Sequence, residues 1–282
     1  MSCSSEKIRE LKRRAADIRE DIVEMIPAGK VGHLGGSSSI ADVTAALYFG
    51  KMKVFRDPKD PRRDRLIFSK GHAVLAQYAC LAELGYFSKE EFKNVKTLHG
   101  LLQGHPDVSI PGIEAVTGSL GQGLSVSLGM ALGCRLDDPD VRVYCVLGDG
   151  ELAEGQVWEA AMAAPNFKAE NLCAIIDRNG IQATDATEKI FPIRDLKAKW
   201  ESFGWHVIEI DGHDMEAILD ALDEAETVKG KPTMILAKTI KGKGFDFAEG
   251  TARYHNAAMT EEEYARAKEL IRKMKEGGVT WS

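Results

Sequence analysis

Five short apolar runs, each followed by a polar loop that contains glycine, alternate in this chain with stretches of helical character. The runs lie in DRLIFSK, VRVYCVLG, NLCAIIDR, WHVIEID and KPTMILAK. Runs of this length without polar alternation are typical of strands buried on both faces. Because helical stretches separate most of them, the pattern predicts an α/β fold, a parallel sheet with helices on both faces. We interpret residues 1–282 as a single domain of this kind.

The segment before the first strand predicts two helices. Apolar residues recur there at helical spacing, and Pro27 and Gly29 then end the pattern; the apolar positions are Ile8, Leu11, Ala15, Ile18, Ile22 and Ile26. After the Gly-rich turn GKVGHLGGSSS we expect a second helix from about Ile40 to Phe49. Further along, SLGQGLSVSLGMALGCRL predicts a helix of small residues, and another helix is expected to start near Glu151.

Charge and hydropathy argue against several classes of function. The formal net charge is −6, so the chain has no general attraction for nucleic acid or for an anionic membrane. No run reaches the roughly 20 apolar residues of a membrane span, and the N-terminus is too charged for a signal peptide. We therefore expect a cytoplasmic protein without nucleic-acid or membrane partners. The cysteines lack metal-ligand spacing and are expected to be buried thiols; they are Cys3, Cys80, Cys134, Cys145 and Cys173.

An acid and an amide follow two successive predicted strands. Asp149 comes directly after VYCVL, and Asn179 comes directly after CAIID. If these strands are parallel, both side chains reach the same edge of the sheet, where open α/β sheets bind ligands. Carboxylate and amide oxygens, helped by a backbone carbonyl, suit Mg²⁺ bound to ligand phosphates, and Gly148 and Gly150 allow a phosphate to approach. The motifs thus indicate a Mg²⁺-diphosphate site; each one alone could also be an ordinary turn.

Histidines and lysines mark other loops at this edge. His33, His72 and His105 lie in Gly-rich loops, and imidazoles suit proton transfer and hydroxyl binding near neutral pH. We interpret three further histidines of the chain as structural: His99, His206 and His213. The lysines of AKTIKGKGF could clamp a phosphate or belong to a solvated, flexible loop that orders when cofactor binds; they are Lys238, Lys241 and Lys243.

A nicotinamide site is a weaker interpretation of the same loops. TGSLGQG contains three glycines, but their order differs from the dinucleotide-binding fingerprint and no clear strand directly precedes them.

Taken together, these motifs resemble the transketolase family. GDGELAEGQVWEAAMAAPNFKAENLCAIIDRNG is similar to the thiamine diphosphate fingerprint, in which Asn follows GDG at a fixed interval. GKVGHLGGSSS, DRLIFSKGHA, LQGHPD, TGSLGQGLSVSLGMAL and KTIKGKG followed by YHN occur in the order of the family's N-terminal, diphosphate-binding (PP-type) domain. The resemblance therefore implies thiamine diphosphate as cofactor and Mg²⁺ as metal, which Ca²⁺ or Mn²⁺ could replace.

The resemblance also implies roles for individual residues. The metal ligands would be Asp149, Asn179 and the backbone carbonyl of Ile181. The cofactor-binding residues would be His72, Gly118, Ser119, Leu120, Gly150, Glu154, Asn179 and His255. The catalytic histidines would be His33, His72, His105 and His255, with His33 and His105 lining the substrate channel. The chain departs from many relatives at Arg178, where they have a first Asn, and at Ser119, where transketolases usually have Pro.

The resemblance covers less than half of a full transketolase. In the family, the second domain binds the aminopyrimidine ring of the cofactor and carries the glutamate that protonates it. We expect that domain on a separate C-terminal subunit, in an α₂β₂ assembly that transfers a two-carbon ketol unit from a ketose phosphate to an aldose phosphate. The chain alone is then expected to be inactive.

Two alternatives remain open at the level of sequence. One is a related thiamine diphosphate enzyme, either 1-deoxyxylulose-5-phosphate synthase-like or 2-oxo acid dehydrogenase-like. The presence of His33, His72 and His105 together favours transketolase over these. The other is a non-catalytic cofactor-binding module, which an adjacent reading frame for the missing half would argue against.

Overall fold

A five-stranded parallel sheet forms the centre of the protein in a computed structural model that describes residues 4–277. The strand order is β1-β2-β3-β5-β4, and every neighbouring pair is parallel. The strands are β1 (Arg65–Phe68), β2 (Val143–Gly148), β3 (Leu172–Arg178), β4 (His206–Asp211) and β5 (Thr233–Lys238). All five predicted strands are present, and the predicted α/β fold class is confirmed.

Helices cover both faces of this sheet. In the described part of the chain they are α1 (Ser5–Met25), α2 (Leu34–Ser39), α3 (Ala41–Ala46), α4 (Val74–Glu83), α5 (Gly123–Asp137), α6 (Gly155–Asn166), α7 (Thr187–Ile190), α8 (Leu196–Ser202), α9 (Met215–Thr227) and α10 (Glu261–Lys275). Alternate strand residues point to opposite faces, so Tyr144 and Val146 join the core beneath α1, α3 and α4, while Cys145 and Leu147 join the core beneath α5, α6 and α8. The sheet is therefore the middle of three layers.

The first helix follows the predicted apolar stripe. Ser4 caps it, because its side chain accepts a hydrogen bond from the Lys7 N–H at 3.2 Å. Leu11 and Ile18 are among the apolar residues buried on its inner face. The helix ends at Met25, ahead of Pro27, as the sequence predicts.

Two predicted helix starts differ from the structure. The second helical segment begins at Leu34 rather than near Ile40, and it is a pair of short helices that meet at Ile40 and continue as a π-helical turn at Leu47–Lys51. The helix expected near Glu151 begins at Gly155, after a 3₁₀ turn at Gly150–Ala153.

The buried side chain of Glu151 gives a physical reason for the later helix start. Its carboxylate accepts hydrogen bonds from Ser69, from the Gly121 N–H at 2.8 Å and from the Gly148 N–H at 2.9 Å. Three partners from outside the helix hold this residue in a tight turn against the sheet edge. The regular helix therefore starts only after the turn.

The cysteine prediction is largely confirmed. Cys80, Cys145 and Cys173 are buried free thiols, Cys134 is partly buried, and Cys3 lies outside the described residues. Among residues 4–277, no helix has both the length and the hydropathy needed to span a bilayer.

Strand register brings the predicted polar residues to one edge. Gly148 of β2 pairs with Asp177 of β3, so Asp149, directly after β2, and Asn179, directly after β3, lie at the same edge. Arg178 of β3 pairs with Lys238 of β5, which brings the loop after β5 to the same edge. The predicted ligand-binding edge thus gathers the ends of three adjacent strands.

Candidate functional site

A cavity of about 350 Å³ opens at this carboxyl edge. Ten of the predicted site residues line it: His33, His72, His105, Gly118, Leu120, Asp149, Gly150, Asn179, Ile181 and His255. Two do not, because Ser119 is exposed beside the cavity and Glu154 is the exposed residue that precedes α6. Sequence reasoning assigned no role to several other lining residues, which are Gly36, Lys70, Glu151, Gln182, Ala183 and Thr184.

Asp149 is a buried acid at the base of the cavity, with 5 % of its surface exposed. Its Oδ1 accepts a hydrogen bond from the Gly150 N–H at 2.8 Å, and its Oδ2 accepts one from the Gly180 N–H at 2.5 Å. Burial raises the pKa of Asp149, and the negative charge of Asp177 raises it further. A cation bound at this carboxylate would relieve that electrostatic cost.

Asn179 is held with its amide in one orientation. Its Nδ2 donates to Asp177 Oδ2 at 3.0 Å, and its Oδ1 accepts from the Ile181 N–H at 3.1 Å. Because a carboxylate can only accept, Asp177 requires the NH₂ group on its own side and leaves the amide oxygen on the other. Asp177 therefore sets which atom of Asn179 serves as an acceptor in the cavity.

A buried ion pair lies beneath the cavity. Lys70 and Asp177 are both almost completely buried, and the Lys70 ammonium donates to the Asp177 carboxylate and, at 2.8 Å, to the Gly36 carbonyl. Ser39 Oγ donates to the same carboxylate at 2.5 Å, and Thr239 donates to it as well. Burial alone would raise the pKa of Asp177, but the Lys70 charge and these hydrogen bonds lower it. Asp177 is thus a carboxylate fixed in its charged form.

Lys241 is buried in the cavity wall rather than solvated. Its Nζ donates to the carbonyls of Ile181 and Gln182 at 2.8 and 3.1 Å and lies 3.0 Å from His255 Nδ1. Burial, with the nearby Lys70 charge, lowers the pKa of Lys241 to about 8. The solvated-loop interpretation is therefore wrong for Lys241 and Lys243, which are buried. Only Lys238 of the three is exposed.

Four histidine rings form a cluster above the acid. The His33 ring centroid lies 5.3 Å from that of His72, 5.8 Å from that of His105 and 5.7 Å from that of His255. The rings of His72 and His255 are 4.8 Å apart. The fold thus brings together histidines from four separate loops that the sequence could identify only one at a time.

Burial keeps the cluster neutral. Desolvation, with the adjacent His255 and His105, lowers the pKa of His33 to about 3. Desolvation and the Lys241 charge lower the pKa of His255 to about 4, and burial likewise lowers the pKa values of His72 and His105. Near pH 7 each ring is therefore a neutral imidazole, with one nitrogen that donates and one that accepts a hydrogen bond.

The cluster predicts how acid affects the cofactor-free protein. Unfolded histidines titrate near pH 6.5, whereas folded His33 titrates at about 3, so the unfolded chain binds more protons in that window and stability falls as the pH falls through it. We expect a His33→Asn/His105→Asn variant to lose less melting temperature between pH 7 and pH 5 than the wild type, measured by circular dichroism. Substitution of exposed His99 by Asn is the control. Equal losses in the cluster variant and the wild type would contradict the prediction.

Gly118, at the rim of the cavity, leaves space for the histidine cluster. Gly118 has φ +143°, and a Cβ on it would lie 2.8 Å from His105 Cδ2. A larger residue would therefore displace the ring from the cavity. On the far side, a Cβ on Gly150 would lie 2.7 Å from Gln182 Oε1, so no side chain fits beside Asp149 either.

The remaining histidines have contacts outside the cavity. His206 pairs with Glu224 at 2.6 Å on the surface, and His213 bonds to Asp42 at 2.8 Å. His99 is exposed.

The fold and this site define a class of protein. A parallel α/β sheet with an acid, an amide and a histidine cluster at its carboxyl edge is the architecture of a cofactor-binding domain. The model of the family described as "Transketolase, thiamine diphosphate binding domain" matches residues 11–274. The chain belongs to this family, and the resemblance predicted from its motifs is confirmed.

Two relatives match over nearly their whole length. One is an apulose-4-phosphate transketolase subunit of Phocaeicola vulgatus, 40% identical over 262 residues, which cover 93% of this chain and 93% of the relative. The other is "6-deoxy-6-sulfo-D-fructose transketolase subunit SqwG" of Clostridium sp. strain MSTE9, 45% identical over 265 residues, which cover 93% of this chain and 96% of the relative. Both names describe one subunit of a transketolase.

Solved structures share the fold. The transketolase of Campylobacter jejuni superposes with a TM-score of 0.84 at 31% identity, over 98% of this chain and 47% of that one. The chain thus spans less than half of the whole transketolase that it resembles.

Proposed function

We propose that this chain is the diphosphate-binding subunit of a two-chain transketolase. With its partner it transfers a two-carbon ketol unit from a ketose phosphate to an aldose phosphate, as in the pentose phosphate pathway of the cytoplasm. The observation that carries the proposal is the cavity in which Asp149, Asn179 and the Ile181 carbonyl face a cluster of four neutral histidines. When bound, thiamine diphosphate supplies the electron sink for cleaving and forming the carbon–carbon bond.

The oxygen atoms of the cavity fit a hard divalent cation. One carboxylate, one side-chain amide and one backbone carbonyl suit Mg²⁺, which usually keeps few protein ligands and takes the rest from water and phosphate. Within residues 4–277 no three His, Cys, Asp or Glu side chains converge to hold a metal, so this mixed set is the proposed one. The Lys241 ammonium contacts the Ile181 carbonyl, so this carbonyl already has a cationic partner. Ca²⁺ or Mn²⁺ could occupy the same set.

The cavity also suits a diphosphate. Gly150 places no side chain beside Asp149, and the Lys241 ammonium supplies a positive charge in the wall, whereas the Lys70 charge is paired with Asp177. Lys241 adds a buried donor that can turn toward phosphate oxygens. His255 contacts both Lys241 and His72, and we propose that these two histidines bind the same end of the cofactor.

We assign the other two histidines of the cluster to the sugar. We propose that His33 and His105 line the substrate channel. As neutral imidazoles they donate hydrogen bonds to sugar hydroxyls and accept a hydrogen bond from a hydroxyl at the unprotonated ring nitrogen. Because their pKa values are low, both rings are uncharged near neutral pH. They therefore recognise sugar hydroxyls through directional hydrogen bonds and not through charge.

The proposed partner is a second subunit that carries the pyrimidine-binding domain and its glutamate. The names of the two subunit relatives support a split enzyme, and we propose an α₂β₂ assembly. Because these relatives are named for different ketoses, both ketoses are included as donors in the test.

The test is ketol transfer from xylulose 5-phosphate to ribose 5-phosphate with Mg²⁺ and thiamine diphosphate. We expect transfer by the mixture of this chain with the candidate partner, and none by either chain alone. Apulose 4-phosphate and 6-deoxy-6-sulfo-D-fructose are assayed in parallel as donors. Cofactor binding without transfer from any donor would instead support a non-catalytic module, and full activity of this chain alone would contradict the proposed division of the site.

A further inference from the structure

The loop at residues 239–244, which carries Lys241, is anchored on both of its sides. On the cavity side Thr239 bonds to Asp177, and Lys241 bonds to the Ile181 carbonyl. On the opposite side the Ile240 N–H and the Lys243 carbonyl are each bound by a side chain from another part of the fold. These contacts hold the loop on both sides, while its ordering on cofactor binding stays a prediction.

Arg19 of α1 holds the Lys243 end. Its Nε donates to the Lys243 carbonyl at 3.0 Å. Its Nη1 and Nη2 donate to the two oxygens of Asp42 at 3.2 and 2.6 Å, a forked geometry that fixes the guanidinium plane. Nη2 also donates to the Ser38 carbonyl at 3.2 Å, and only 5 % of Arg19 is exposed. The Lys243 carbonyl is thus tied to a rigid, buried group.

His213, in the loop after β4, holds the Ile240 end. Its Nδ1 lies 2.8 Å from Asp42 Oδ2, and the Ile240 N–H points to its Nε2 at 2.9 Å. A backbone N–H can only donate, so Nε2 must be the unprotonated nitrogen. The proton of a neutral ring is then on Nδ1, which donates to Asp42. The two neighbours of His213 therefore select one tautomer.

We propose that Arg19, Asp42 and His213 form a brace, a set of positioning residues that presets the 239–244 loop and aims Lys241 into the cofactor cavity. Asp42 is the common partner of the other two, so a single buried carboxylate fixes both anchor points, Ile240 and Lys243. Lys241 lies between these two anchors. Its importance for the cofactor rests on the proposed function, whereas the brace itself does not.

The backbone of the loop explains why such a brace is needed. Gly242 and Gly244 have φ angles of +79° and +100°, which give the free loop many alternative conformations. Burying the Lys241 ammonium requires the loop to hold it against carbonyl acceptors. With the Ile240 anchor removed, the loop would gain conformations in which Lys241 points to solvent.

The first measurement is amide hydrogen exchange at Ile240 in the cofactor-free chain, with the Nε2 and Nδ1 resonances of His213 recorded by ¹⁵N NMR. We expect the Nδ1–H tautomer in the wild type, and exchange at Ile240 about tenfold faster in His213→Ala. His213→Gln, whose amide has an NH₂ group that can donate to Asp42 and an oxygen that can accept from the Ile240 N–H, should restore most of the protection. The matched control is His206→Ala, which removes a histidine paired with Glu224 outside the brace.

The second measurement is thiamine diphosphate affinity with saturating Mg²⁺. We expect His213→Ala to bind about tenfold more weakly than the wild type, and His213→Gln to recover most of the loss. His206→Ala should bind as the wild type does. Proteolysis of the cofactor-free chain should show faster cutting in residues 239–244 of His213→Ala.

Any of three results would contradict the proposed brace. They are an Nε2–H tautomer of His213, unchanged amide exchange at Ile240 in His213→Ala, and faster exchange in that variant with unchanged cofactor affinity. If His213→Ala does not fold, the wild-type tautomer and the His213→Gln variant still decide the question. Failure of the wild type itself to bind thiamine diphosphate would contradict the proposed function, while the tautomer and exchange measurements would still test the brace.

Discussion

Replacing Asp149 by alanine is expected to abolish metal-dependent binding of thiamine diphosphate. Asp149 is the one carboxylate in the proposed metal ligand set, and removing it leaves an amide and a carbonyl that carry no net charge. Loss of groups that merely orient metal ligands costs about 10- to 100-fold in affinity, so loss of the charged ligand should cost at least about a hundredfold. The measurement is isothermal titration of the cofactor at several Mg²⁺ concentrations.

Two control variants separate metal binding from other effects of this substitution. Asp149→Asn keeps an oxygen of the same size without the charge, and we expect it to resemble Asp149→Ala. His105→Ala removes another cavity residue that is not a proposed ligand, and it should leave affinity within about threefold while lowering turnover of the assembled enzyme. A normal Mg²⁺ titration of Asp149→Ala would exclude Asp149 as a metal ligand.

The second large effect is expected from Lys70→Met. The substitution leaves Asp177 with no cationic partner at a site that excludes water. Removing one member of a buried ion pair typically destabilises a protein by about 3–5 kcal/mol, because the remaining charge is uncompensated. We expect a loss of that order in the free energy of unfolding, measured by urea denaturation.

A double variant tests whether the uncompensated charge of Asp177 causes this loss of stability. In Lys70→Met/Asp177→Asn both charges are absent, while the new amide keeps the shape of the carboxylate and can still bond to Ser39 and Thr239. The double variant should regain a large part of the stability that Lys70→Met loses. The double-mutant cycle measures the coupling energy between Lys70 and Asp177. Cofactor affinity should not recover, because an amide at position 177 can donate as well as accept and no longer dictates the orientation of the Asn179 amide. A Lys70→Met protein within about 1 kcal/mol of the wild type would contradict a net role for the pair.

Several parts of the site were predictable because their signals are local. Apolar runs identified the strands, and the rule for parallel sheets then placed Asp149 and Asn179 at one edge. The 3₁₀ turn after Asp149 was not predictable, because two of the three partners of the inward-turned Glu151 side chain, Ser69 and Gly121, are distant along the chain. Ser69, for example, is 82 positions away from Glu151.

The burial of charged side chains could not be predicted from the sequence either. The sequence shows Lys70 and Asp177 as polar residues, each beside an apolar run at the end of a predicted strand. It does not show that they pair, because they are 107 positions apart. Lys241 lay in a segment whose composition is equally compatible with a solvated loop. Hydrogen bonds to carbonyls brought together by folding decide between those interpretations.

The sequence by itself determined the strand and helix pattern, the ligand-binding edge and the family, because hydrophobic periodicity and loop motifs act over a few residues. Only the tertiary structure decided which polar groups are charged, neutral or positioning. Asp42 and His213, 171 positions apart, meet because α3 packs against α9, the helix that directly follows the loop after β4. Pairings of this kind depend on the exclusion of water and on hydrogen-bond geometry, which exist only once the chain is folded.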